Sequence, residues 1–189
     1  MTDPTERIYE RLLVLRCQTG DELAFAEMVE RFGHRVHYFL RKLLGEAAAA
    51  EDVLQDVWLD VFRGLPHLAQ AGAFTAWLYR VARDRAYRVL RRRRPAHQSL
   101  DEWDEAATSA DEAAFSAEDA ARVHAALDRL APEHREVLVL RFLEDLSYDD
   151  VARVVGCPVG TVRSRLHYAK RALATVLERV NEHERKRSG

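Results

Sequence analysis

Hydrophobic positions return at helical spacing along most of this chain. Over residues 22–44, 51–65 and 73–94, apolar side chains recur every three or four positions, which is the period of one helix face. Few segments alternate apolar and polar residues as a half-buried strand does. The pattern predicts an all-α fold. In the first of these helices the expected core residues are Phe25, Met28, Val29, Phe32, Val36, Phe39, Leu40 and Leu43.

Two short helices joined by a tight turn are predicted over residues 146–173. Ser147 can cap the first helix by accepting the backbone N–H three residues on, and Asp150 at that position suits the positive end of the helix dipole. Gly156, Cys157 and Pro158 then stop the helix and turn the chain. The expected buried residues are Val151, Ala152 and Val155 in the first helix and Val162, Leu166, Ala169 and Leu173 in the second.

The outer face of the second of these helices carries cations and hydroxyl groups. No Asp or Glu occurs between Val151 and Leu177. Solvated faces usually interleave both signs, whereas a face of one sign suits a polyanionic groove. We therefore interpret the pair as a DNA-binding helix-turn-helix, with an ordinary helical hairpin as the alternative. The predicted outer residues are Thr161, Arg163, Ser164, His167, Tyr168, Lys170 and Arg171.

The helix predicted over residues 51–65 has an apolar and an acidic face. We expect the apolar face to pack on its own domain, while the acidic face suits a basic protein surface or serves only for solubility. The apolar residues are Val53, Leu54, Val57, Leu59, Val61 and Phe62, and the polar ones are Glu51, Asp52, Gln55, Asp56 and Asp60.

Cations and aromatic rings are interleaved in the helix predicted over residues 73–94. Such a mixture suits single-stranded DNA, because arginines contact phosphates while rings stack on unpaired bases. A helix lying on a membrane surface would need a longer exposed apolar face. We expect Phe74, Trp77, Leu78 and Val81 to be buried, and Tyr79, Arg80, Arg83, Tyr87, Arg88 and the final arginines to be exposed.

Charge is strongly segregated, although the formal net charge of the 189 residues is only −2. Residues 80–94 hold eight arginines and one acidic residue, whereas 95–121 hold eight acidic residues and neither Lys nor Arg. The acidic stretch has no sustained helical stripe and marks the boundary between two domains. It is a flexible tether, or else Leu100, Trp103 and Phe115 dock on a partner.

Several other classes of protein find no support in the sequence. It shows no transmembrane segment and no secretory signal, so we expect a cytoplasmic protein. Cys17 and Cys157 are interpreted as free thiols that pack, with redox sensing as the alternative. His34 and His37 lack a third ligand for a metal. No nucleophile motif, carboxylate cluster or phosphate loop points to an enzyme, and no metal or other cofactor is predicted.

Three segments together resemble the extracytoplasmic-function (ECF) group of bacterial sigma factors. They are AEDVLQDVWLDVFRGL, AFTAWLYRVARDRAYRVLRRRR and ALDRLAPEHREVLVLRFLEDLSYDDVARVVGCPVGTVRSRLHYAKRAL. The resemblance extends over about residues 21–178 and implies an all-α protein of two small helical domains joined by an acidic flexible linker. It divides the chain into an N-terminal extension at 1–20, a region 2 domain at 21–95, the linker at 96–117, a region 4 helix-turn-helix domain at 118–180 and a polar tail at 181–189.

The resemblance also implies a role for each domain. The region 2 domain would hold core RNA polymerase and melt the −10 promoter element, with a flipped base entering loop 66–73, and the region 4 domain would read the −35 element in the major groove. In the −35 element, residues 163, 164, 167 and 168 would contact bases and residues 170 and 171 phosphates. The implied −10 contacts are Trp77, Tyr79, Arg80, Arg83, Asp84, Tyr87 and Arg88, and the implied polymerase contacts are Asp52, Gln55, Asp56 and Trp58.

The partners implied are the coiled coil of the largest polymerase subunit, the flap of the second-largest subunit, promoter DNA and an anti-sigma factor. The acidic linker would thread toward the active centre. Relatives often have Asn in place of Asp84 and Arg in place of Tyr168, so we transfer no promoter consensus. A stand-alone helix-turn-helix repressor or activator is the alternative function. The expected flap-binding region includes Val137, Leu138, Leu140 and Phe142.

Overall fold

A computed structural model of the chain describes residues 4–93 and 117–187, with side chains placed for 5–93 and 121–179. All regular structure in these ranges is helical, which confirms the all-α prediction. Residues 96–116 of the predicted linker, which include Leu100, Trp103 and Phe115, lie outside the described residues. The helices are α1 Pro4–Gln18, α2 Glu22–Leu44, α3 Ala47–Gly64, α4 Phe74–Arg93, α5 Ala117–Leu127, α6 Pro132–Leu138, α7 Tyr148–Val155 and α8 Val159–Arg187.

Helix α2 is the centre of the first module, which comprises α1 to α4. Asp21 caps it by accepting the backbone N–H of Ala24 at 3.0 Å, and Gly45 ends it in a left-handed conformation with φ of 74°. Six of the eight predicted core residues are buried, while Phe25 and Val29 are half-buried. Helix α1, within the segment predicted as an extension, adds Leu13 and Val14 to the same core.

The predicted apolar face of α3 is narrower than expected. Its core contact is a stripe of Val53, Val57 and Val61, each one helical turn from the next. Leu59 and Phe62 are 52% and 60% exposed, so the prediction that they pack on their own domain is wrong. They lie outside the stripe that faces the core.

Helix α4 buries more than one face. The prediction that Tyr79 is exposed is wrong, because the residue is fully buried and its ring meets Phe39 edge-on, with centroids 5.2 Å apart. Val81 and Trp77 are only half-buried. The difference arises because α4 contacts α2 and α3 on one side and α7 on another. Gly64 allows the close approach of Trp77, since a Cβ there would lie 2.8 Å from the indole ring.

The helix-turn-helix is confirmed in the second module, which comprises α5 to α8. Ser147 Oγ accepts the backbone N–H of Asp150 at 3.1 Å, and Gly156 ends α7 with φ of 70°. In α7, Val154 is buried and Ala152 only half-buried, because the stripe lies on the Val151, Val154, Val155 side. Helix α8 continues to Arg187 through most of the segment predicted as a polar tail. Between α6 and α7 the chain makes a π-helical turn, Val139–Leu143.

Candidate nucleic-acid and polymerase interfaces

The outer face of α8 is largely open to solvent. Helix α8 buries Val162, Leu166 and Ala169 against the rest of the module, which leaves the opposite side free. Thr161 and Arg171 are half-buried and are therefore less available than predicted. The exposed residues on the predicted DNA face are Arg163, Ser164, His167, Tyr168 and Lys170.

Contacts within the second module orient these side chains. Ser164 Oγ donates to the carbonyl of Thr161 at 3.0 Å, and the rings of His167 and Tyr168 meet edge-on with centroids 5.4 Å apart. The guanidinium of Arg163 lies 5.9 Å from the ring centre of Tyr148 at the start of α7. The face thus combines cations, a hydroxyl group and aromatic edges on a helix held by a capped turn, which is the donor set that suits base edges and phosphates.

Helix α4 presents its predicted −10 residues on two different sides. Arg80, Asp84 and Arg88 are spaced four residues apart and are exposed together. Arg83 and Tyr87 are half-buried, and the guanidinium of Arg83 lies 4.4 Å from the ring centre of Tyr87. The structure therefore separates a set that sequence analysis had treated as one surface.

Helix α1 anchors the loop between α3 and α4. The side-chain amide of Gln18 donates to the carbonyls of Leu65 and Leu68 at 3.0 and 2.8 Å, and the guanidinium of Arg11 lies against Gly72. These contacts fix the short 3-10 turns Leu65–His67 and Ala71–Ala73, which hold most of the predicted base-binding loop. The role of Gln18 was not predicted, because residues 1–20 were interpreted as an extension outside the first domain.

The acidic face of α3 is exposed but partly neutralised. Asp52, Gln55 and Asp56 are exposed as predicted. Arg85 of α4 contacts Asp56 at 3.1 Å and donates two hydrogen bonds of 2.6 Å to Asp60. The hydrogen bonds from Arg85 lower the pKa of Asp60 below its usual range. This pairing was not predicted from the sequence. Because Arg85 pairs with Asp56 and Asp60, the unpaired negative charge of this face lies toward the start of the helix, at Asp52.

Exposed apolar side chains extend the acidic face of α3. Phe25 meets the rings of Trp58 and Phe62 edge-on, at centroid distances of 6.2 and 5.2 Å. Trp58, Phe62 and exposed Leu59, together with the polar residues of this face, form what we call the α3 patch, defined as Asp52, Gln55, Asp56, Trp58, Leu59 and Phe62. Apolar anchors beside charges are typical of protein interfaces rather than of nucleic-acid surfaces.

A second exposed apolar group lies at the turn after α6. Phe142 and Leu143 are 56% and 46% exposed, whereas Val137, Leu138 and Leu140 are buried in the module. Of the residues predicted near the flap contact, only Phe142 is therefore available at the surface. Leu143 joins it as a residue that sequence analysis did not single out.

The two modules contact each other directly. Helix α4 packs on α7, and α2 packs on α6. Glu136 of α6 is 1% exposed and receives hydrogen bonds from Arg83 Nε at 2.5 Å and from the Tyr87 hydroxyl at 3.2 Å. Burial raises the pKa of Glu136, and the nearby guanidinium opposes that rise. Burial, reinforced by the Glu136 carboxylate, also raises the pKa of Tyr87.

The other candidate residues remain separate from these surfaces. His34 is exposed and His37 half-buried, and no group of three or more metal-ligating side chains occurs among the described residues. Cys17 is buried, and burial raises the pKa of its thiol, while Cys157 is half-buried. Across the described ranges, no helix is long and apolar enough to cross a membrane.

Comparison with known proteins matches both modules. Residues 28–96 match the family described as Sigma-70 region 2, and residues 120–173 match Sigma-70, region 4. The chain is 34% identical to the RNA polymerase sigma-H factor of Pseudomonas aeruginosa over 181 residues, with 89% of this chain and 94% of that protein covered. It is 30% identical to the ECF RNA polymerase sigma-E factor of Escherichia coli, with the same coverage.

Solved structures agree with these relatives. CnrH in complex with the cytosolic domain of CnrY is 25% identical, with a TM-score of 0.66 and coverage of 89% of this chain and 97% of that one. The sigma factor RpoE in complex with the anti-sigma factor NepR, from Bartonella quintana, is also 25% identical, with a TM-score of 0.65 and coverage of 82% and 96%. This chain belongs to the ECF group of sigma-70 family RNA polymerase sigma factors and is an alternative sigma factor for promoter-specific transcription initiation.

Proposed function

We propose that this protein binds core RNA polymerase through the α3 patch and through Phe142 and Leu143, opens the −10 element with α4 and its preceding loop, and reads the −35 element with α8. The observation that carries the proposal is the outer face of α8, where exposed cations and a hydroxyl group share a capped helix-turn-helix. Duplex recognition by such a helix needs this combination of base-edge and phosphate donors.

Polymerase binding rests on the mixed character of the α3 patch. Leu59 and Phe62 are exposed apolar side chains of the kind that anchor the core of a protein interface. Asp52 and Asp56 supply negative charge for a basic partner such as a polymerase coiled coil. Trp58 is the half-buried member of the patch, and its ring packs edge-on against Phe25. The exposed Phe142 and Leu143 are suited to the flap of the second-largest subunit.

Promoter opening rests on the exposed edge of α4. Unpairing and unstacking a base costs a few kcal/mol, which the protein must offset by stacking and by contacts with phosphates. Arg80 and Arg88 are exposed for phosphates, and the loop fixed by Gln18 is the candidate receptor for the flipped base. Trp77, Arg83 and Tyr87 remain candidates for the same strand, whereas buried Tyr79 is better explained as a core residue.

Control by an anti-sigma factor fits the similar structures. CnrH and the Bartonella RpoE are both in complexes, the latter with an anti-sigma factor. We propose that a partner of this class covers the polymerase-binding surfaces of the present chain in the cytoplasm. The proposed activity is regulatory rather than catalytic and uses no cofactor.

Run-off transcription with purified bacterial core polymerase on sheared genomic DNA tests the proposal. The wild-type protein should give new discrete transcripts. Leu59→Ser should weaken core binding and reduce these transcripts, whereas Leu15→Ser should not, although both leucines are 52% exposed. Duplex binding without transcripts would instead support a stand-alone regulator, and equal effects of the two substitutions would contradict the assignment of the α3 patch.

A further inference from the structure

Helix α1 borders the loop that precedes α4, which is the candidate receptor for a flipped base. Arg7, Arg11 and Gln18 are spaced four and seven residues apart, and this spacing places them on one face of α1. Gln18 donates hydrogen bonds to two carbonyls of the loop, and the guanidinium of Arg11 lies against Gly72. One face of α1 therefore follows the loop, with Arg7 one helical turn further along that face.

Arg11 differs from most other charged residues of α1 because it has no counter-charge. Both carboxylates of α1 pair with Arg31 of α2, at 2.7 and 3.8 Å, and Arg16 pairs with Asp21 at 2.7 Å. Arg11 is exposed, and no carboxylate within the described ranges forms an ion pair with it. The charge of α1 is thus neutralised where the helix meets α2 and is left open beside the loop.

Gly72 makes the close approach of this guanidinium possible. A Cβ at residue 72 would lie 3.1 Å from Arg11 Nε, which is closer than ordinary van der Waals contact. The φ of Gly72 lies outside the left-handed region, so what this glycine provides is space. Arg11 rests on bare backbone, and no hydrogen bond joins its N–H groups to another residue that the structure describes. These N–H donors are therefore free for a ligand.

We propose that Arg11 is a DNA contact, and that its guanidinium binds a phosphate of the unpaired −10 strand beside the base that enters loop 66–73. The inference rests on the proposed function for the identity of this strand and extends its binding site from α4 to α1. A guanidinium suits the role because its planar set of N–H donors matches two oxygens of one phosphate. With Arg80 exposed on α4, cations then lie on both helices that border the loop.

A phosphate contact at this point would help the loop to hold its base. Unpairing and unstacking a base costs a few kcal/mol, which contacts with neighbouring phosphates offset. Each phosphate of a single strand that a cation neutralises steepens the slope of log K against log salt concentration by about 0.7. At about 0.1 M salt that slope corresponds to about a fivefold gain in affinity. An arginine that only packs against the loop would leave the slope unchanged.

Fluorescence anisotropy of the full chain with a labelled, mixed-sequence single strand of about 20 nucleotides, at several salt concentrations, tests the proposal. Arg11→Ala should weaken binding by about fivefold at about 0.1 M salt and should reduce the slope by about 0.7. Arg11→Lys keeps the cation and should keep most of the slope.

Arg16→Ala is the matched control. It removes one arginine from the same helix and makes the same change in net charge. Arg16 is five residues from Arg11, so it lies on another side of α1, where it pairs with Asp21. Its affinity and salt slope should stay close to those of the wild type. Circular dichroism melts of all variants establish that they are folded.

Three results would overturn the proposal. The first is a wild-type protein that does not bind the strand. The second is an Arg11→Ala protein with the affinity and slope of Arg16→Ala. The third is a loss of affinity that leaves the slope unchanged and that Arg11→Lys does not restore, since Arg11 would then only shape the loop. The measurements use neither polymerase nor a promoter, so a wild type that binds the strand but gives no transcripts contradicts the proposed function and not this contact.

Discussion

Helices α4 and α8 are both rich in exposed cations, yet the structure treats them differently. The outer face of α8 is open, and its orientation depends on contacts within its own module, including Tyr148 and the cap at Ser147. Among the predicted −10 residues of helix α4, only Arg80, Asp84 and Arg88 are exposed, while Arg83 and Tyr87 face Glu136 of the other module. A helix rich in cations therefore need not have all of them accessible to a ligand.

The difference follows from what each helix packs against. Helix α8 buries one stripe, so the opposite side remains exposed. Helix α4 is contacted by α2, α3 and α7, so that only a narrow strip of its surface remains exposed to solvent. The predicted −35 residues on the outer face of α8 are thus largely accessible in this structure, whereas the predicted −10 residues Arg83 and Tyr87 are not.

The largest expected effect is on α8. If Arg163 is a bidentate donor to guanine, as the proposed function implies, Arg163→Ala should cost about 1 to 3 kcal/mol of discrimination between matched and mismatched −35 duplexes. This corresponds to roughly 5- to 150-fold in affinity. Binding of the polymerase complex to matched and mismatched promoter fragments measures it. Arg129→Ala removes an exposed arginine that is not on α8 and serves as the control.

Lys170→Ala separates base contacts from phosphate contacts on the same helix. Its loss should weaken binding to all sequences alike and lower the salt slope by about one unit. If Arg163→Ala behaved in the same way, Arg163 would be a phosphate contact and the assignment of α8 as the −35 reader would lose its main support.

The sequence predicted the features of α8 better than those of α4 because its signals are local. The Ser147 cap, the Gly156 turn and the spacing of Val162, Leu166 and Ala169 each involve residues close in the chain. The burial of Tyr79 depends on neighbours from several helices, and the pair Arg35–Glu144 joins residues 109 positions apart. Because the sequence pattern of α4 was interpreted as one buried face, the burial of a second face was not predicted.

Titration of tyrosines at the contact between modules should sharpen the contrast. Burial, with added repulsion from Asp128 and Glu144, raises the pKa of Tyr38 to about 12, and burial raises those of Tyr79 and Tyr87. Because the pKa of Tyr38 is raised while the modules are in contact, its contribution to that contact is full below about pH 10 and is lost as the pH rises to about 12. Absorbance at the phenolate band should show these tyrosines ionising late.

Asp128→Lys provides the matched measurement for that titration, because it replaces the pair between Asp128 and Lys42, 2.7 Å apart across the two modules, with two cations. Tyr87 is bonded to Glu136 and not to Asp128, so an earlier ionisation of Tyr87 in the variant reports opening rather than a direct change of charge. Subtraction of a Tyr87→Phe titration isolates its signal. An unchanged Tyr87 would mean that the modules stay together in the variant.

A smaller effect is expected at the loop before α4. Gln18→Glu replaces two hydrogen bonds to the carbonyls of Leu65 and Leu68 with repulsion between oxygens, which should cost about 1 to 2 kcal/mol in loop placement. Permanganate footprinting of the duplex promoter should show reduced opening, while −35 binding stays unchanged. Thr19→Ala, which removes only a bond to the Arg16 carbonyl, is the control. Equal loss of both promoter elements would indicate general misfolding.

The smallest effect is expected on the exposed edge of α4 itself. Asp84 lies between Arg80 and Arg88, where its negative charge opposes the approach of phosphates. Asp84→Asn should therefore tighten binding of the −10 strand by up to about 1 kcal/mol at low salt, and the gain should shrink as salt screens it. Anisotropy with single-stranded DNA at two salt concentrations measures the change, with Glu30→Gln as the control. A loss of binding would show instead that Asp84 accepts a hydrogen bond from a base, in which case the exposed edge of α4 would contribute specificity as α8 does.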